Sequence, residues 1–124
     1  IKIDDYEVPN FINKKIDTAR ISLDKNGIRY VIFGGGNKVI EQSPNPKEIV
    51  TTNETIYLIS NGAASVPNVT GFSSKVAKDI LQKLGLKVHL DGVGYVTSQS
   101  IVEGIPITEG MEITLQLSPK YTIE

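Results

Sequence analysis

Val8-Pro9-Asn10-Phe11 returns as Val66-Pro67-Asn68-Val69, 58 positions later, and this repeat constrains the fold more than any other feature. At the same offset Ala19 meets Ala77, Leu23 meets Leu81, Lys25 meets Lys83, Gly27 meets Gly85, and Gly34 and Gly36 meet Gly92 and Gly94. From position 8 to 36, 9 of 29 pairs are identical. Beyond Gly36 the offset falls to 57, one residue lost in a turn, and Val39 meets Val96, Gln42-Ser43 meets Gln99-Ser100, and Ile56 and Leu58 meet Ile113 and Leu115. The shared positions are mainly glycines, a proline and apolar residues. What has been copied is a backbone shape with its interior, and two copies in series point to a binding or spacing device.

The 124 residues therefore divide into two modules, 1–60 with a core over 8–60 and 61–124 with a core over 66–118. A unit of about 60 residues buries only about 60% of its unfolded surface and is marginal alone. Cysteine is absent, which removes disulfides and thiolate metal sites together. Mutual support between the copies is the natural expectation. The joint, Asn61-Gly62-Ala63-Ala64-Ser65, is too short to reach far.

Net charge is −1 and evenly spread: residues 1–62 carry eight Lys/Arg and eight Asp/Glu, residues 63–124 five and six. Nucleic-acid binding calls for a basic face, which this balance does not supply. No apolar run approaches the ~20 residues of a membrane span, so direct insertion is not expected. The chain starts at Ile1 without a signal-peptide pattern, and reads as a piece of a longer protein whose anchor lies elsewhere.

Each copy opens in an extended Val-Pro step, because the residue before proline is pushed from the helical region. In the second copy Ser73 is placed to cap a helix running to about Leu84. Val76, Ala77, Ile80, Leu81 and Leu84 form its apolar stripe, and Gly85 ends it. The first copy has Ile16, Ala19 and Leu23 on one face, closed by Asn26-Gly27. Strands are predicted over 29–33, 38–43 and 55–60, and over 87–90, 95–100 and 112–118. The last alternates, with Ile113, Leu115 and Leu117 inward and Glu112, Thr114, Gln116 and Ser118 outward. Each module thus reads as α+β, one helix packed on a three-stranded antiparallel sheet. Ile21 breaks the first helix pattern, standing where the second copy has Asp79, and is the candidate contact to the neighbouring module or an upstream domain.

Reaction chemistry finds little footing. Gly34-Gly35-Gly36 resembles a phosphate loop in composition, but such a loop needs a helix directly after it, and here a strand follows. His89 has no triad or metal partner at a recognisable spacing. Asp4, Asp5, Glu103, Glu109 and Glu112 read as solvated charges. Neither a Ser-x-x-Lys nor a Gly-x-Ser-x-Gly signature is present. No catalytic residue, metal or cofactor is assigned. Binding has more to draw on: Lys14, Lys15, Arg20, Lys25, Arg29 and Lys38 can pair with carboxylates, and Tyr30, Tyr57 and Tyr95 can stack on sugar rings or a partner protein.

The Val-Pro-Asn opening, the Ala-x-x-x-Leu-x-x-x-Gly-Leu helix end at Ala77, Leu81, Gly85 and Leu86, and the Val-x-x-Gln-Ser strand together resemble the PASTA module, twice over. The resemblance implies an extracellular location in penicillin-binding proteins or in eukaryotic-like serine/threonine kinases of Gram-positive bacteria. The stretch 92–100, Gly104 and the final Glu-Ile-Thr-Leu-Gln-Leu-Ser look like the C-terminal pair on class B penicillin-binding proteins, the transpeptidases of septal peptidoglycan. That implies a non-catalytic region on the outer face of the membrane, with peptidoglycan or muropeptides, the parent transpeptidase domain and divisome proteins as partners. The alternative is the muropeptide-sensing ectodomain of a kinase. Candidate ligand contacts are Arg29, Lys38, Gln42, Tyr95 and Gln99. Asn13 departs from the family's glycine, kept at Gly71, and Ile101 stands where Pro44 follows the first Gln-Ser.

Overall fold

Ser73 caps the second helix, its Oγ accepting the Val76 N–H at 3.3 Å, and α2 runs Ser74–Lys83 in the computed structural model, which describes residues 3–119. Ala77, Ile80 and Leu81 form its buried stripe, and Gly85 follows with φ +99. The first helix, α1, spans Ile16–Lys25; Lys15 precedes it without a side-chain cap, and Ile16, Ala19 and Leu23 are buried. Both helices lie where the apolar spacing places them.

The chain divides into two units, Ile1–Ala63 and Ala64–Glu124. In the first, β2 (Tyr30–Phe33), β3 (Val39–Ser43) and β5 (Ile56–Ser60) form one sheet in the order β2-β5-β3. A second, two-stranded antiparallel sheet pairs β1 (Asp5–Glu7) with β4 (Ile49–Thr51). In the second unit β6 (Lys87–Asp91), β7 (Tyr95–Gln99) and β8 (Glu112–Ser118) form a sheet in the order β6-β8-β7.

The α+β architecture stands, one helix and one three-stranded sheet per module, but the sheets are mixed and not purely antiparallel. β5 runs parallel to β2 and antiparallel to β3, and β8 does the same with β6 and β7. Burial explains the order. The last strand of each module is its most buried, with Ile56 and Leu58, or Ile113 and Leu115, fully buried. Placing it centrally pairs both its edges.

The two cores are superimposable in sequence terms. Val8, Phe11, Ala19, Leu23, Ile28, Val39, Ile56 and Leu58 cluster in one module. Their counterparts Val66, Val69, Ala77, Leu81, Leu86, Val96, Ile113 and Leu115 cluster in the other. Truncating one such leucine to alanine costs about 2–5 kcal/mol in a packed core, so each position is under the same constraint in both copies.

One irregularity also repeats. In β3 the register against β5 shifts between Val39 and Glu41, and in β7 the register against β8 shifts between Val96 and Ser98. The extra residue, Ile40 or Thr97, reverses the in-out alternation beyond it. Gln42 and Gln99 are thereby turned toward the helix side of the sheet.

Candidate functional site

The bulges set the role of the two glutamines. Gln42 is fully buried; its Oε1 accepts the Phe11 N–H at 2.8 Å, and its Nε2 donates to the carbonyls of Pro9 at 3.0 Å and Pro44 at 3.1 Å. Gln99 repeats the pattern: Oε1 accepts from Val69 N–H at 2.9 Å, and Nε2 donates to Pro67 and Ile101, both at 2.9 Å. The Val-Pro-Asn opening and the Gln-Ser strand, far apart in sequence, are halves of one latch. A surface contact is closed to Gln42, because the side chain has no exposed area. Alternation from Val39 places it outward, and the bulge overturns that placement.

The glycine turns grip the chain as it leaves each sheet. The Gly36 N–H donates to Ser60 Oγ at 2.9 Å, and Asn61 Oδ1 accepts from the N–H groups of Asn37 and Lys38 at 3.1 and 3.3 Å. A Cβ on Gly36 would lie 1.9 Å from Asn61 Oδ1 and 2.5 Å from the Gly62 nitrogen. At the equivalent place, a Cβ on Gly94 would lie 2.0 Å from the Ser118 carbonyl oxygen. Close main-chain approach is what these glycines provide.

The sheet faces turned away from the helices are where the copies part company. In the first module Val31 and Phe33 on β2 adjoin Tyr57 and Ile59 on β5. Phe33 and Tyr57 are stacked, with ring centroids 6.0 Å apart and an interplanar angle of 6°. Arg29, just before β2, donates through Nη2 to the Asn53 carbonyl and lowers the Tyr57 phenol's pKa, although burial, the larger effect, leaves it raised overall. In the second module the same four positions hold His89, Asp91, Thr114 and Gln116. There His89 Nε2 lies 2.6 Å from Glu112 Oε1, and this hydrogen bond, then the imidazole charge, holds the Glu112 carboxyl below its ordinary range. At these four positions one face is apolar and aromatic with a cation at its rim, and the other is polar.

The remaining candidates are dispersed. Arg29 and Lys38 belong to opposite edges of the sheet and to opposite ends of β5, since the Ile56 N–H donates to Arg29 and the Asn61 N–H to Lys38. Tyr95 is 41% exposed at the start of β7, while Gln99 at the other end serves its latch. Ile21 is 69% exposed on α1. Of the five ligand candidates, only Arg29 lies beside the aromatic group, with Val31, Phe33 and Tyr57; Ile59, 2% exposed, is buried. The signal for them was available: at four aligned strand positions one copy is apolar and the other polar. Among the described residues no cluster of three or more His, Cys, Asp or Glu side chains is arranged to hold a metal, and no helix is long and apolar enough to cross a membrane.

Two copies of one latch, one glycine grip and one mixed sheet define a tandem-repeat family. The chain belongs to the PASTA domain family, whose model matches residues 6–62 and 64–119. PASTA domains are non-catalytic, are found outside the cell in penicillin-binding proteins and in serine/threonine kinases, and bind peptidoglycan or muropeptides. Penicillin-binding protein 2X from Streptococcus thermophilus is similar in structure, with a TM-score of 0.72 and 26% identity over 93% of this chain and 17% of that one. A probable serine/threonine-protein kinase of Clostridium perfringens is 28% identical over 90% of this chain. The extracellular region of the Ser/Thr kinase PrkC from Staphylococcus aureus aligns over 94% of this chain and 47% of that one at 22% identity, with a TM-score of 0.39. This chain spans 20% of the Clostridium kinase's length.

Proposed function

We propose that this pair is the non-catalytic extracellular region of a penicillin-binding protein, a peptidoglycan transpeptidase acting in cell-wall synthesis and division. In this reading it binds uncrosslinked peptidoglycan or muropeptides through the outer sheet face of the first module. The observation that carries the binding site is the contrast between copies. The second module keeps the same scaffold with polar residues at these positions, so the fold does not require Val31, Phe33 and Tyr57 there. An aromatic platform beside a guanidinium suits an amphipathic ligand that carries sugar rings and peptide carboxylates. The structural likeness to penicillin-binding protein 2X supports the parent. The similarity to the Clostridium kinase supports the alternative, a muropeptide-sensing kinase ectodomain with the same ligand.

NMR titration with purified muropeptides tests binding. Amide shifts confined to Arg29–Phe33 and the neighbouring residues of β5 are expected; their absence at millimolar ligand contradicts the site. Ile21 is proposed as the contact for a parent transpeptidase domain or a divisome protein. Ile21→Asp is expected to leave the fold intact and to weaken association with that domain supplied separately; undiminished association removes Ile21 from the interface. The localisation that follows from this reading is the outer membrane face or the wall, with anchorage through chain beyond this segment.

A further inference from the structure

We infer that the open edge of β2 pairs with β2 of a second copy of this chain, antiparallel about a twofold axis through Val31, so that two first-module sheets join into one. Each main sheet has two edges, and the opening segment of the module closes one of them. In the first module the Val39 N–H donates to the Lys14 carbonyl and the Asn13 N–H to the Val39 carbonyl, both at 2.8 Å. In the second, the Val96 N–H donates to the Phe72 carbonyl at 2.9 Å and the Gly71 N–H to the Val96 carbonyl at 2.8 Å. The opposite edges are β2 and β6. Such an edge accepts another strand unless charge guards it. Lys87, His89 and Asp91 guard β6, whereas β2 reads Tyr-Val-Ile-Phe, without a charge, and its Val31 is 41% exposed.

A second copy fits this edge in one register. The Ile56 N–H donates to the Arg29 carbonyl at 3.0 Å, and alternation along the parallel ladder turns the main-chain groups of Val31 and Phe33 toward β5 as well. Those of Tyr30 and Ile32 point away, and among the described residues no main-chain bond engages them. With Val31 facing its own copy, Tyr30 stands opposite Ile32 of the second chain, and each such pair exchanges both N–H···O=C bonds. Arg29 then falls opposite Phe33, twice, on the outer face, where guanidinium and ring attract one another. Shifting the register by two residues either way loses that contact. The edge is thus complementary to itself, which is what a closed twofold contact requires. Four strand residues a side make a small interface, in the class below about 1,200 Å² that holds only transiently.

Single cysteines test this in the whole chain, which has none of its own. In a non-hydrogen-bonded antiparallel pair the Cα atoms lie about 4.5 Å apart, within disulfide reach. Val31→Cys and the control Val102→Cys are oxidised with diamide at high micromolar protein, each rate divided by that thiol's rate with a small disulfide reagent. Val31→Cys is expected to give linked dimer about tenfold faster, because pairing raises the local concentration of its thiol. Val102 is the more exposed site, at 67% against 41%, so chance collision favours the control. Equal rates, or a faster control, overturn the pairing. Sedimentation of the wild type from micromolar to millimolar needs no substitution, and its mass is expected to rise toward the dimer. Val31→Lys, which sets like charges face to face on the axis, should stay monomeric. A wild type that remains monomeric throughout overturns the inference and leaves the edge to a strand of another protein. So does a Val31→Lys variant that dimerises as the wild type does. No muropeptide enters these measurements, so their failure is separate from failure of the ligand reading.

Discussion

Phe11 and Gln42, 31 residues apart, are joined by a buried hydrogen bond of 2.8 Å from the Phe11 N–H to Gln42 Oε1. The bond has a twin between Val69 and Gln99 at 2.9 Å. In each module it staples the opening segment to the sheet across the core, which explains why two separated motifs recur together.

Gln42→Leu leaves the buried Phe11 N–H and the half-buried Pro9 and Pro44 carbonyls without this partner. Each unsatisfied buried group costs about 1–3 kcal/mol, so a loss of roughly 2–4 kcal/mol is expected after partial relaxation. Gln99→Leu should cost less, since Gln99 is half-buried. Urea unfolding followed by a probe in each module measures both. A change within about 0.5 kcal/mol, typical of surface substitutions, contradicts the latch.

Asn13 and Lys47 are the two non-glycine residues described at positive φ, +71 and +72, and at the aligned positions the second module has Gly71 and Gly104, at +89 and +93. Glycine removes the Cβ clash of the left-handed region, at the cost of a more flexible unfolded chain. Lys47→Gly is expected to stabilise by about 0.5–1 kcal/mol, and Asn13→Gly by less, because asparagine tolerates this conformation. Thermal unfolding checks the order of the two; a destabilised Lys47→Gly contradicts it.

The glycine turns separate two kinds of glycine. A Cβ on Gly27 would meet nothing within 4 Å, leaving only the positive φ of +68 to oppose it, whereas one on Gly36 would collide with Asn61 and Gly62. Gly27→Ala is expected to cost about 1–2 kcal/mol, the left-handed penalty. Gly36→Ala should cost more. Equal costs in denaturant unfolding would count against a close main-chain approach at Gly36.

His89 and Glu112 give a pH signature. The Glu112 carboxyl is held low by the His89 hydrogen bond and then by the imidazole charge. A carboxylate whose folded value is depressed adds stability above its unfolded value, and that contribution fades as pH falls through the folded one. Both side chains are more than half exposed, so solvent keeps the effect small. His89→Ala is expected to return the Glu112 titration, followed by side-chain carboxyl NMR, to the ordinary carboxylate range. No upward movement would contradict the pairing.

Most of the scaffold was legible in the chain itself. The helix ends follow from Ser73, Gly27 and Gly85, and the six strands of the two main sheets follow from their β-branched runs. Three features were hidden, each for a physical reason. Apolar character shows that Ile56–Ser60 is a strand but not that it takes the central place parallel to β2, because strand order depends on which edges are best covered. The short pair β1 and β4, three residues each, is too brief for periodicity to register. The bulges at Ile40 and Thr97 leave no mark in composition, yet each reverses every side chain beyond it. Gln42, a candidate ligand contact in the sequence, is a core residue. The aromatic face leaves no trace in the repeat, because it lies where the two copies differ.

The site reading is tested most directly by giving the first module the second module's face. The double variant Phe33→Asp, Tyr57→Thr places at two positions the residues that the same scaffold already carries in its other copy. Muropeptide titration of wild type and variant, read by amide shifts, is the measurement. Binding at the first module that disappears in a folded variant is the predicted result; shifts that persist unchanged after the exchange contradict the assignment of ligand binding to this face.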